Sequence, residues 1–336
     1  MTLHAQRPGR LGLPAAVIAA AALLQAACLA GGRSSATFER TLHVNGPVRL
    51  DVSAGSGGIV IRNGTAGEVR IHGEVRAGGV ILENSGRRAQ EIAANPPIEQ
   101  NGNMIRVGWR RGDSPFVAVS ISYTIETPGD TEASAKDGSG SVEISGLRDP
   151  VSVTLGSGDA RVDDVGDNVT IGLGSGSMRV SRIHGGVTFQ CRSGRLSFSD
   201  VREEIRGSAG AGSIEVDRAH GRVNVRTGSG PIRVSGAAED VRASTGSGTI
   251  ELQGNPTNEA FWDIGTGSGR IDLSVPGSAS FSLAARTGSG NMTVDMPIQI
   301  EEQTRRLLRA RVGDGKAHVN LETKSGNIHI KQGGTS

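Results

Sequence analysis

Two cysteines, one tyrosine and four lysines in 336 residues set the first limits on this chain. Two cysteines cannot staple a small secreted scaffold, so a disulfide framework is excluded as the source of stability. Aromatic residues make up 3% of the chain, too few for the stacking platforms that grip single-stranded nucleic acid. The net charge is +2, which gives no electrostatic footprint for a polyanion. No G-x-x-x-x-G-K-[ST] phosphate loop occurs.

Glycine is abundant instead, at 51 residues. It does not recur every third position, so collagen is excluded. The apolar residues are regularly placed, which excludes disorder for most of the length. The motif Gly-Ser-Gly and its variants begin at Gly138, Gly156, Gly174, Arg192, Gly210, Gly228 and Gly246, every step being 18 residues. Copies follow at Gly267 and Gly288 after steps of 21, then at Lys324 after a step of 36. An outlying copy, "GSGGIVI", starts at Gly55. A fixed period near 20 is the mark of a solenoid.

Each period carries two short runs of alternating apolar residues, such as Val151/Val153/Leu155 before the motif and Leu196/Phe198 after it. Period-two alternation means strands with one buried face, and no repeat has room for a helix. The expected fold is therefore all-β: a single-stranded β-solenoid, right-handed, with about 18 residues per rung. The expected organisation is a signal over 1–30, a linker over 31–36, and opening rungs with an irregular β cap over 37–135. The repeats span 136–332 with an insertion at 296–317, and a tail covers 333–336. Within the cap, "GRRAQEIAANPP" reads as a loop or a short helical turn. Within the insertion, the charged run reads as an overhanging strand pair.

Within the motif, the first position is replaceable, since Arg192 and Lys324 stand there. The last glycine occurs in all ten copies: Gly140, Gly158, Gly176, Gly194, Gly212, Gly230, Gly248, Gly269, Gly290 and Gly326. These are expected to be structural turn glycines, one corner of each rung.

The N-terminus carries Arg7 and Arg10 ahead of an apolar, alanine-rich run to Ala30. This is the layout of a secretory signal. "LQAAC" resembles a bacterial lipobox, which implies lipidation of Cys28. Ala26 and Ala27 fit that pattern and Gln25 departs from it. Ordinary cleavage after Ala30 is the competing reading.

Three stretches, "SISYTIETPGD", "AKDGSGSVEISGLRDPVSVTLGSGDARV" and "HVNLETKSGNIHI", resemble a bacterial family of exported β-strand-repeat proteins. That family is labelled adhesin by inference and grouped as a domain of unknown function. The resemblance covers about residues 38–332. It implies a β-solenoid outside the cytoplasm, often lipoprotein-anchored, and it brings no catalytic residues.

The outward residues between inward positions should stack into a polar column about 4.8 Å per step. Glu251 and Asp272 would be neighbours in it, a spacing that suits a retaining glycosidase, although rungs this short raise no long loops around them. Asp159 lacks the repeated partners of a calcium-binding roll. His184 and His220 recur two rungs apart, too far for one metal, and read as turn residues. Cys191 falls on the inward parity. The expected function is a non-catalytic cell-envelope protein, exported to the periplasm, the outer membrane or the surface, or secreted. It would act as an adhesin-like or scaffold module without cofactor or metal. A membrane would hold it through the signal or lipid anchor, and an envelope glycan or protein is the expected partner, not nucleic acid. The alternatives are a self-assembling, bactofilin-like β-helix and, less favoured, a carbohydrate-active enzyme.

Overall fold

The structure, a computed structural model, describes residues 34–78, 85–108 and 119–333. The signal segment and Cys28 lie outside the described residues. Within them the chain forms one 23-stranded sheet with a single helix. The opening part comprises β1 (Ser34–His43), β2 (Val48–Asn63), β3 (Glu68–Ala77), α1 (Ser85–Ala94), β4 (Ile98–Asn101), β5 (Met104–Val107) and β6 (Val119–Thr127). Five long bent strands follow: β7 (Thr131–Leu147), β8 (Val151–Val165), β9 (Val169–Ile183), β10 (Val187–Val201) and β11 (Ile205–Ala219). Later rungs break at the corner into pairs. These are β12 (Val223–Ser229) with β13 (Ile232–Ala237), β14 (Val241–Ser247) with β15 (Ile250–Gly254), and β16 (Phe261–Ser268) with β17 (Ile271–Val275). The last elements are β18 (Phe281–Ser289), β19 (Met292–Asp295), β20 (Gln299–Gln303), β21 (Leu307–Val312), β22 (Ala317–Ser325) and β23 (Ile328–Gln332).

The repeat rungs lie parallel and in register, so equivalent residues form columns along the rod: Leu155 faces Leu173, which faces Cys191. Side chains before the corner (Val151, Val153, Leu155) meet those after it (Ala160, Val162, Val165) in a narrow interior, all buried. Bulk is traded between rungs. Phe189 is in register with Gly207, where an added Cβ would fall 2.5 Å from the Phe189 ring. That ring also lies 4.8 Å from Phe198, centroid to centroid. A narrow interior with one large side chain over one absent side chain keeps the packing dense.

A second corner is made without glycine. Asp164, Arg182, Asp200 and Arg218 recur at one position with φ of 50–56°, and each is skipped in the pairing of its rung. Gly146 and Gly236 hold the same place at φ of 74° and 73°. Each is a bulge that flips the alternation. The next inward residue therefore comes three positions on, which buries Leu147, Val165, Ile183, Val201 and Ala219. Non-glycine residues in this conformation are strained. Asp164→Gly is therefore expected to raise stability by about 0.5 kcal/mol, after the extra unfolded-state entropy of glycine is subtracted. A lower urea midpoint for the variant would contradict this.

Chain order and stacking order differ at both ends. β2 lies directly on β7, with Gly57 opposite Gly140, so the outlying "GSGGIVI" copy belongs to the corner column. β5 and β6 stack on its other side, β3 and β1 extend from β6 in antiparallel fashion, and β4 covers β5. At the far end the last rung of the sequence, β22–β23, is threaded between β16–β17 and β18–β19. His329 on β23 therefore stacks between Asp272 on β17 and Thr293 on β19 and does not follow Thr293 in sequence order.

Two local expectations are also revised. "GRRAQEIAANPP" lies mostly within a helix of 10 residues, Ser85–Ala94, that buries Ala89 and Ile92, one apolar stripe at helical spacing. Arg40 Nη2 donates to the Ala94 carbonyl at 3.0 Å and ties the helix end to β1. The insertion does form a strand pair, β20–β21, but only β20 overhangs, exposed at every residue. β21 lies antiparallel along β18 and closes that edge.

Candidate functional site

The corner is the most regular feature of the surface. All ten turn glycines have φ between +124° and +159°. A Cβ on any of them would fall 1.7–2.1 Å from the carbonyl oxygen of the neighbouring rung's corner glycine. The first glycine of the motif is more constrained than its replacement by Arg192 and Lys324 suggests. At the glycine copies an added Cβ would come within 2.1–2.7 Å of a carbonyl below. The middle serines are in register from Ser56 and Ser139 onward, interrupted once by Ala211.

Beneath the corner lies a buried row of threonines, of which the alternation places Thr227 and Thr245 on the inward side. Thr245 Oγ1 donates to the Gly230 carbonyl at 3.1 Å, Thr266 to Gly248 at 3.1 Å and Thr287 to Gly326 at 3.0 Å. Thr323 donates to Gly269 at 3.3 Å, and Thr227 reaches Gly212 at 3.4 Å. The first four hydroxyls each satisfy a corner carbonyl of the adjacent rung, while Thr227 lies closer to the Ser229 carbonyl of its own rung, at 3.1 Å. The signal was present as the repeated tetrad T-G-S-G, but without the register its hydroxyl had no visible partner.

On the outer face after the corner, Glu251 and Asp272 are register neighbours, as the spacing predicts. Each is already engaged. Arg233 Nε donates to Glu251 Oε2 at 2.8 Å, and Arg270 Nε donates to Asp272 Oδ2 at 2.7 Å. The Glu251 carboxylate, with Glu215 further off, holds the Arg233 guanidinium above its ordinary pKa. The threaded last rung brings His329 between two carboxylates, with Nε2 2.7 Å from Asp295 Oδ2 and Nδ1 3.7 Å from Asp272 Oδ1. Small residues, Ser235 and Ser274, leave an open groove of about 470 Å³ beside these groups, with Lys331 at its far side. A second groove of about 420 Å³ opens on the opposite face over Gly265, between Arg242, Asp263 and Glu322.

Elsewhere the polar surface serves the fold. The Arg218 guanidinium beside Asp200 holds that carboxyl below its usual range, across a 2.7 Å contact at the bulge column. Asp159 accepts a hydrogen bond from Ser177 of the next rung. His184 and His220 sit exposed just past the bulge, their amides bonded to the carbonyls of Val165 and Val201. Among the described residues no three His, Cys, Asp or Glu side chains gather in a way that could hold a metal ion. Cys191 is buried in the column between Leu173 and Ala209, and burial pushes its thiol pKa up.

A bent parallel stack, turned at each rung by a motif that ends in glycine, matches one family profile, Toastrack DUF4097, over residues 49–331. The chain belongs to that family. No protein with a curated description matches it. Three solved structures resemble this Toastrack chain at low identity. A candidate cell adhesion protein from Clostridium sporogenes is 13% identical, with 89% of this chain and 100% of that one covered and a TM-score of 0.23. A candidate adhesin from Bacteroides fragilis is 15% identical over 88% and 97% of the two chains, with a TM-score of 0.26. One from Parabacteroides distasonis is 11% identical over 89% and 97%, with a TM-score of 0.30. The family match carries the assignment of this Toastrack protein.

Proposed function

We propose that this Toastrack protein is a non-catalytic module of the cell envelope, exported by its N-terminal signal and held at a membrane through lipidated Cys28. Its rod would present the groove around Arg233, Glu251, Asp272, His329 and Lys331 to a hydroxyl-rich envelope glycan. The observation that supports this reading is the balance of that groove. It offers closely spaced donors and acceptors of both signs, which suits a neutral polyol better than a polyanion. The carboxylates that would have served a glycosidase are each paired with an arginine, which favours binding over bond cleavage. The polymerising alternative is disfavoured by the caps, because β1, β3 and β4 close one end of the rod and β21 closes most of the other.

The test has two arms. Cells fed a fatty-acid analogue should label the wild-type protein and not Cys28→Ala, and label that persists without Cys28 removes the anchor. The purified rod should retain an envelope polysaccharide fraction in a pull-down, with at least a tenfold loss in the Arg233→Ala/Lys331→Ala double variant. Equal retention by both proteins would remove the groove as the binding site.

A further inference from the structure

The inward column that precedes the corner changes chemistry along the rod. From the cap it begins with Ala54 and Asp137, then runs through Leu155, Leu173, Cys191 and Ala209 before the threonines start. Asp137 is 5% exposed. Its Oδ1 accepts a 3.3 Å hydrogen bond from the Ser139 amide, while its Oδ2 is buried with no hydrogen-bond partner.

Among the described residues, no charged side chain lies in register with it. β2 contributes Ala54, Gly55, Ser56 and Gly57, β8 contributes Leu155, Gly156, Ser157 and Gly158, and Lys136 on its own strand is exposed to solvent. Burial raises the carboxyl pKa above its ordinary value, and the amides of Ser139 and Gly138 offset this only in part.

The position of Oδ2 decides what it can bond. A Cβ placed on Gly140 would lie 1.7 Å from the Gly57 carbonyl oxygen and 2.5 Å from Asp137 Oδ2, so both oxygens crowd one point. At Gly326 the same test point lies 1.9 Å from the Gly269 carbonyl oxygen and 3.2 Å from Thr323 Oγ1. There the hydroxyl donates to that carbonyl. An ionised carboxylate has only acceptors, whereas a neutral carboxyl has an O–H to give.

We propose that Asp137 is a proton-operated latch between the cap and the repeats. Neutral, its Oδ2–H donates to the Gly57 carbonyl and ties β7 to β2, as Thr323 ties the threaded rung to its neighbour. Ionised, it sets a bare oxygen against that carbonyl and loosens the joint that carries β5 and β6. A carboxyl whose pKa is raised on folding contributes stability that is complete below its unfolded pKa, near 4, and that is lost as pH rises through the folded value. The cap is therefore held more tightly in acid.

The experiment compares melting midpoints of the whole protein against pH for wild type, Asp137→Thr and Asp137→Leu, the leucine matching the next two rungs. At neutral pH Asp137→Thr should melt about 3 °C above wild type, and the gap should close as pH falls towards about 4. Both variants should lack the wild-type rise in acid. Parallel profiles for wild type and the variants would overturn the latch. So would a neutral-pH midpoint lower than wild type in both variants.

Discussion

Gly212→Ala is expected to lower the stability of the central rungs by about 3–5 kcal/mol, a large share of what a domain of ordinary stability has to lose. Two penalties coincide at this position. Gly212 has φ of +125°, a conformation that a side chain with a Cβ adopts only under strain. The new Cβ would also fall 1.9 Å from the Gly194 carbonyl oxygen and 2.8 Å from the Gly194 nitrogen. Neither atom can yield locally, because Gly194 belongs to the parallel ladder that joins β10 to β11. Separating the rungs by the required distance would break hydrogen bonds on both sides of the corner. Gly172→Ala is the control, since a Cβ there meets nothing within 4 Å. Hydrogen exchange should show faster opening of β10 and β11 in Gly212→Ala and no change in Gly172→Ala. Equal protection in the two variants would refute the account of the corner.

A chain ended after Lys316 should lose far more than a terminal rung. If the rungs stacked in sequence order, removing β22–β23 would peel off the end and leave β18–β19 paired to β16–β17. The observed order puts β22 between β16 and β18, and β23 between β17 and β19. Truncation therefore strips the pairing partner from β19 and one of two from β18. It also uncovers Phe281 and Leu283, which are buried in the intact protein and contribute about 1.5–3 kcal/mol each. Exchange over residues 281–295 should rise to the level of an unfolded segment, while β8 to β11 stay protected, as expected where each rung contacts only its neighbours. Retained protection would mean that β18–β19 can close directly onto β16–β17 and that threading is not needed.

Much of this was legible in the residues. Alternation of Val151, Val153 and Leu155 gave a strand with one buried face. The exact recurrence of glycine at the end of each motif marked a backbone requirement, because a side-chain role would have tolerated other small residues. The bulge was harder to see. Its positions hold Asp and Arg as readily as Gly, so composition carried no hint. The sign was a spacing of three between Val162 and Val165 where a strand would give two. The candidate groove was half legible: Arg233, Glu251 and Asp272 follow one another from the period, whereas the pairing of Arg270 with Asp272, two residues on, depends on side-chain direction.

By itself the sequence determined the rung. Its period, its corner and the row of side chains it buries all follow from local alternation and from the positive φ of one glycine, and both act within a single repeat. The tertiary structure alone decided the order of the rungs at the two ends, the place of the "GSGGIVI" copy, and the meeting of His329 with Asp272 and Asp295. The physical reason is that every rung presents nearly the same hydrogen-bonding edges and the same inward row. Local chemistry therefore cannot distinguish one neighbour from another. That choice is made by how the connections β2 to β3 and β19 to β22 pass over the ends, and by which exposed edge each of them closes.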